Sequence, residues 1–257
     1  MKPVKPKKQL GQHFLKELQY CEKMVSALQL PEEGRVLEVG PGTGALTQFL
    51  PQERLKVVEL DRESVAYLQT HFPHLEGRIY SEDFLRMPLE RIFEGSGFSL
   101  VGNFPYNISS QILFHALDFR AFIPEIMGMF QKEVAQRIAS PPGSKEYGIL
   151  SVLMQAYYDV TYLFDVPPSA FIPPPKVMSG VILCTQKPVE FTQSIPYSRL
   201  KQLVKLAFNQ RRKTLRNALS SLPCEAILAE RQLTGKRAEQ LSVEQFIDLA
   251  LALESTE

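Results

Sequence analysis

The sequence predicts an α/β protein: a doubly wound, mainly parallel sheet of seven strands with an antiparallel hairpin at one edge, followed by a small all-helical domain. Three observations lead there. Short apolar runs stopped by glycine or a charge alternate with helical periodicities along most of the 257 residues, the pattern of βαβ units. Two late apolar runs, 162–166 and 177–184, have no helical stretch between them and therefore suit antiparallel neighbours. After Lys187-Pro188 the strand signal ends, and apolar residues recur at helical spacing: Leu200, Leu203, Val204 and Ala207, then Leu215, Leu219 and Leu222.

Taken in order, Leu18, Cys21, Met24, Val25 and Leu28 predict an amphipathic helix over 17–29, ending before Pro31. A strand follows at 35–39, stopped by Gly40, then a helical stretch at 45–50 and a second strand at 55–60. The alternation continues with a helix at 62–70, a strand at 78–80, and a strand at 98–101 that ends in Gly102-Asn103. A helix at 109–117, a strand at 126–130 and a helix at Lys132–Ala139 complete the parallel part. The expected organisation is a basic segment at 1–16, an α/β domain at 17–187 and a helical domain at 188–257.

Composition narrows the class. At 44% hydrophobic residues the chain can bury one large core and a small appendage. No apolar run approaches the roughly 18 residues of a membrane span, and the basic start lacks the apolar stretch of a secretory signal, so a cytoplasmic protein without a membrane partner is expected. Cys21, Cys184 and Cys224 are far apart and odd in number, which suits buried thiols and neither a disulfide framework nor a metal site. The net charge of +1 conceals uneven placement. Lys2, Lys5, Lys7 and Lys8 crowd the start, and Arg199, Lys201, Lys205, Arg211, Arg212, Lys213 and Arg216 form a second cluster with no acid among them. Such clusters are either solvated faces or fields that attract a polyanion.

The strand at 35–39 runs into Gly40-Pro41-Gly42-Thr43-Gly44, where main chain can approach a ligand closely. Gly40, Gly42 and Ala45 also satisfy the dinucleotide fingerprint, with Glu59 at the expected distance, so a nicotinamide cofactor stays open at this point. Glu59, ending the second strand beside Leu60, is placed to accept from both hydroxyls of an adenosine ribose, and its neighbour Asp61 is less well aimed. Asp83 suits an adenine amino group, with Phe84 or Leu85 covering the ring, and equally suits a turn cap.

Asn103-Phe104-Pro105-Tyr106-Asn107-Ile108 ends the fourth strand, where sites lie in such sheets. The amino group of adenine is a poor nucleophile because its lone pair is delocalised into the ring. Two acceptors that hold the amino hydrogens localise the pair: the side-chain oxygen of Asn103 and the main-chain oxygen of Phe104, turned inward by Pro105. Tyr106 offers a stacking face, which contributes on the order of 1–3 kcal/mol to a base flipped from its helix. No carboxylate base is required, because the nitrogen becomes acidic once alkylated.

Together these residues resemble the ribosomal RNA adenine dimethyltransferase family, with the Erm resistance enzymes as cousins. The likeness spans nearly the whole chain. It rests on Gly11-Gln12-His13-Phe14-Leu15, Glu38-Val39-Gly40-Pro41-Gly42-Thr43-Gly44, Glu59-Leu60-Asp61, Asp83 and Asn103 through Ser109. It continues in Gln131-Lys132-Glu133-Val134, Tyr147-Gly148, Pro167-Pro168-Ser169-Ala170-Phe171, Pro174-Pro175-Lys176-Val177, and Phe208 with Arg211-Arg212-Lys213. Phe104 stands where many members have Leu, and His13 where some have Asn.

The resemblance implies a Rossmann-like class I methyltransferase. His13 and Leu15 would join Gly40, Gly42, Glu59, Leu60, Asp83, Phe84 and Asn103 around S-adenosylmethionine, converted to S-adenosylhomocysteine, with no metal. Phe171, which otherwise reads as plain core, would face Tyr106 across the target adenine. Two adjacent adenines near the 3′ end of small-subunit (16S) ribosomal RNA would each receive two methyl groups, within an assembling 30S particle and by a monomeric enzyme. A large-subunit (23S) adenine is the Erm-type alternative. Arg211, Arg212 and Lys213 would then grip phosphates of the structured RNA.

Overall fold

The computed structural model describes residues 4–31, 33–188 and 196–254. Chain order begins β1 (Phe14–Leu15), α1 (Gln19–Ala27), β2 (Val36–Val39), β3 (Leu55–Val58), α2 (Arg62–His71), β4 (Ile79–Tyr80) and β5 (Ser99–Asn103). It continues α3 (Ser109–Asp118), β6 (Glu125–Gln131), α4 (Lys132–Ala139), α5 (Ile149–Tyr157), β7 (Tyr158–Val166), β8 (Phe171–Ile172) and β9 (Ser179–Gln186). The last helices are α6 (Tyr197–Asn209), α7 (Leu215–Ala218), α8 (Glu225–Glu230) and α9 (Val243–Glu254).

Seven strands form one sheet in the order β4-β3-β2-β5-β6-β9-β7, and β1 pairs with β8 in a separate ribbon. β4, β3, β2, β5 and β6 are parallel, while β9 runs antiparallel to β6 with Ser179 opposite Gln131. The expected α/β class and antiparallel edge are therefore present. Every residue of β2, and all of β5 up to Gly102, is buried. That explains the unbroken apolar runs, since a parallel strand is covered on both faces. Strand order reverses between β2 and β5, so the loops after these two neighbours diverge and leave a crevice at their carboxyl ends.

One packing detail fixes the wall of that crevice. Gly102 and Gly128 are paired across β5 and β6, and a Cβ at either would meet the Phe104 ring at 2.7 or 2.4 Å. The glycine pair is a slot for that ring, which is 1% exposed and lies 5.2 Å from Phe130.

Several elements differ from expectation. The stretch 45–50 is not an α-helix: it holds turns and a 3-10 turn at Thr47–Phe49, because buried Thr47 donates its hydroxyl to Glu38 Oε2 at 2.7 Å and Pro51 follows at once. Helix α5 and the start of β7 fill a region to which the sequence assigned nothing. Ile149–Tyr157 is almost wholly buried, with only Ser151 and Gln155 to mark a polar side.

The chain divides into two compact units, Met1–Ala135 with Thr161–Thr185, and Gln136–Val160 with Gln186–Glu257. The second thus takes in 136–160 as well as the helical end. Its core explains why: the Tyr147 and Phe208 rings are 6.2 Å apart, Phe208 stacks on Phe246 at 5.9 Å, and Tyr157 meets Tyr197 at 5.8 Å. The three cysteines are buried free thiols, and no described helix is long and apolar enough to cross a membrane.

Candidate active site

The turn after β2 is built by conformation. Gly40 and Gly42 have φ of +69° and +56°, and a Cβ at Gly42 would lie 2.8 Å from the Phe14 ring. The turn's main chain holds Glu59 in return: Gly42 N–H donates to its Oε2 at 3.0 Å and Asp61 N–H to its Oε1 at 2.8 Å. Burial pushes the Glu59 carboxyl above the usual carboxylate range, against the pull of these two bonds. Each oxygen keeps a lone pair, and Glu59 lines a cavity of about 230 Å³.

The same cavity is lined by His13, Leu15, Gly40, Gly42, Leu60, Asp83, Phe84, Asn103, Phe104, Pro105 and Tyr106. Asp83 caps the turn that follows it, its Oδ1 accepting from Leu85 N–H at 3.1 Å, and the residue also lines the cavity. Asp61 faces elsewhere. It caps α2 by accepting from Glu63 N–H at 3.1 Å, and it also accepts from Lys7 Nζ, Gln12 Nε2 and Ser64 Oγ. Burial alone would raise its carboxyl, but the bonds from Lys7 and Gln12 outweigh that and hold it low. These bonds tie down the segment that leads to β1, whose pairing with β8 fixes the other end.

At the end of β5, the Asn103 amide donates through Nδ2 to the main-chain oxygen of His13 at 2.9 Å, which leaves Oδ1 as the atom available to a ligand. Phe104 N–H donates to Met129 O at 3.2 Å, so the residue is held by its backbone as well as by its ring. The Tyr106 ring lies 5.4 Å from the His13 ring at 27°, and its hydroxyl is 2.5 Å from Ser179 Oγ. Burial raises the Tyr106 hydroxyl, and the Ser179 contact partly offsets this.

The charge of the lining is one-sided. Glu38, Glu59, Glu82 and Asp83 line the cavity, and among the described residues no lysine or arginine does. Glu38 is an acid in the middle of a buried strand, 1% exposed, and burial pushes its carboxyl up to about 8. Sequence reasoning assigned it no role, although an acid inside Val36-Leu37-Glu38-Val39 was a visible signal. Gln12 and Ser179 were missed too, because a lone polar residue signals little until its partner is known.

Phe171 lies on β8. Expected across from Tyr106, it is 1% exposed, pairs with Leu15, belongs to the apolar core with Ala170 and Val181, and does not line the cavity. In the second unit, Arg212 and Lys213 are exposed beyond α6, but Arg211 is spent partly on structure, donating to the main-chain oxygens of Lys145 and, at 3.2 Å, Tyr147. Among the described residues no three His, Cys, Asp or Glu side chains gather as a metal-binding set.

Residues 4–255 match the family model described as ribosomal RNA adenine dimethylase. A Bacteroides fragilis protein named ribosomal RNA small subunit methyltransferase A is 54% identical over 257 residues, covering 99% of this chain and 94% of that one. Among solved structures, a dimethyladenosine transferase from Plasmodium falciparum superposes with a TM-score of 0.82 at 24% identity, covering 95% of this chain and 98% of that one. The 23S rRNA methyltransferase ErmE gives 0.68 at 23% identity, covering 94% and 99%.

Proposed function

We infer the chemistry of this site from one premise: the chain belongs to the ribosomal RNA adenine dimethylase family. It is an S-adenosylmethionine-dependent methyltransferase that dimethylates the 6-amino groups of adenosines in small-subunit ribosomal RNA, two adjacent ones near the 3′ end. The observation that carries this reading is a lining that holds Glu59, Glu82 and Asp83, besides the buried, protonated Glu38, and no lysine or arginine among the described residues. A nicotinamide dinucleotide brings a pyrophosphate, which this lining repels. A sulfonium with an α-ammonium group is favoured by it. The large-subunit alternative has less support, since the relatives that match at 54% identity carry the small-subunit name, whereas the likeness to ErmE at 23% identity shows fold alone.

The residues present fit the methyl donor. The glycine turn admits close main-chain approach, Glu59 offers acceptors for ribose hydroxyls, and Asp83 with Phe84 and Leu60 suits the adenine. His13 and Leu15 close the same cavity from the N-terminal side. When bound, S-adenosylmethionine supplies a methyl carbon already activated by its sulfonium.

The chain's own work is to hold the nucleophile. Asn103 Oδ1 and the main-chain oxygen of Phe104 accept the two amino hydrogens of the target adenine in the first transfer, and one of them accepts the single hydrogen left for the second, which turns the nitrogen lone pair out of the ring system. Tyr106 stacks against the base. Holding the nitrogen in line is a proximity effect, and the proton leaves to water after alkylation. With Phe171 in the core, the pocket has Tyr106 as its aromatic wall, with the His13 ring beside it.

The C-terminal helices α6 to α9 form the RNA-binding part of this reading, with Arg212 and Lys213 as phosphate contacts and Arg211 shared between RNA and fold. The substrate is an assembling 30S particle, the enzyme acts as a cytoplasmic monomer, and no metal takes part. The test is transfer of labelled methyl to undermethylated small subunits, to free RNA and to large subunits, with the modified adenines mapped by mass, in the presence and absence of a chelator. Methylation of a large-subunit adenine alone overturns the reading.

A further inference from the structure

We propose that Ser179 is a positioning residue for the target base, holding the Tyr106 ring through the contact between their hydroxyls; this rests on the reading of Asn103 to Tyr106 as the segment that holds the amine. Tyr106 sits on a turn after β5, braced locally by Ile108 N–H donating to Pro105 O at 3.2 Å, and its ring is only partly buried. A stacking face on such a turn swings about χ1 unless its far end is fixed.

Ser179 is enclosed by the sheet and its neighbours. It is 0% exposed, opens β9 opposite Gln131, and is flanked by Lys132 N–H donating to Met178 O at 2.9 Å. The next residue, Gly180, has no room for a Cβ, which would meet Tyr162 Oη at 2.4 Å and Ala135 Cβ at 2.9 Å. The strand therefore cannot shift toward those neighbours. With Oγ and Oη 2.5 Å apart, the loop-borne ring takes the position of the sheet. The Asn103 amide is fixed in a comparable way by the His13 main chain, so acceptor and stacking face are both set from outside their own segment.

A double-mutant cycle tests this with wild type, Tyr106→Phe, Ser179→Ala and the pair. Each single change is expected to lower kcat/KM for RNA about five- to tenfold, the factor set by one lost hydrogen bond. The double variant should fall within about twofold of the worse single one, because both remove the same bond. Donor affinity, read by calorimetry, should stay near wild type in all four. Additive losses, or a Tyr106→Phe variant with wild-type transfer, overturn the proposal. So does a Ser179→Ala variant that lowers only the melting temperature. Should Ser179→Ala fail to fold, Tyr106→Phe reads the same contact from the partly exposed side. A wild-type chain that methylates no RNA overturns the functional reading and this proposal with it, whereas an active wild type with additive losses overturns this proposal alone.

Discussion

The side-chain amide of Asn103 donates to the main-chain oxygen of His13 at 2.9 Å, across 90 positions of sequence. That bond chooses which end of the amide faces the cavity. An Asn103→Asp variant loses the donor and sets a carboxylate against a carbonyl oxygen. Both Asn103→Asp and Asn103→Ala should bind S-adenosylmethionine within about tenfold of wild type. Single-turnover transfer should slow by on the order of 10²-fold or more, as when one preorganised polar contact is removed from an active site. Wild-type turnover in Asn103→Ala would remove the role assigned to its oxygen.

Glu59 and Gly42 form one unit, since the glycine's N–H holds the carboxylate. Glu59→Gln should weaken donor affinity about tenfold, the scale of a hydrogen bond to a charged group. Gly42→Ala should do more, because it strains a φ of +56° and brings a Cβ to 2.8 Å from the Phe14 ring. Titration calorimetry with the methyl donor checks both.

Glu38 makes stability depend on pH. Its folded-state carboxyl is raised by burial to about 8, so the folded chain keeps a proton that the unfolded chain releases. The stability it contributes is complete below the ordinary carboxylate value and is lost as pH rises through about 8. Glu38→Gln, which can still accept from Thr47, should melt higher than wild type at pH 8, and the gap should close toward pH 4. A gap that widens on acidification contradicts this.

Asp61 shows the opposite sign. Its carboxyl is held low by the bonds from Lys7 and Gln12 against the cost of burial, so its contribution is present at neutral pH and disappears as pH falls through the lowered value. Removing the cap of α2 by Asp61→Ala should cost on the order of 1–2 kcal/mol. Thermal melts at neutral pH and near pH 3 should show that difference shrinking with acid. Donor affinity should also weaken, because Gln12 and the residues after it line the cavity.

Arg212 and Lys213 are separable from Arg211. Alanine at Arg212 and Lys213 should lower RNA affinity and reduce the salt slope of binding by roughly one per charge, with melting temperature unchanged. Arg211→Ala should also lower the melting temperature, because that guanidinium holds the main chain at Tyr147. An unchanged salt slope would exclude these residues from the RNA contact.

Much of the sheet was legible because its signals are local. Predicted and observed strands agree closely at Val36–Val39 and Glu125–Gln131, and helix Lys132–Ala139 agrees at both ends. Fully buried apolar runs with abrupt stops leave little choice of register. The same locality explains the failures. Helix α5 has only Ser151 and Gln155 to mark its period, and a two-residue strand such as β1 exists only through partners 156 and 158 residues further on.

By itself, the order of glycine turn, strand-end acids and Asn103 to Tyr106 determined the fold class and the set of groups that face the crevice, because each lies at the carboxyl end of its own strand. Only the tertiary structure decided which atoms of those groups are free. The His13 carbonyl orients the Asn103 amide, Gly42 and Asp61 claim one lone pair from each oxygen of Glu59, and the Ser179 hydroxyl meets that of Tyr106. Hydrogen-bond geometry and burial are properties of pairs, and a pair far apart in sequence has no definite distance until the chain has folded.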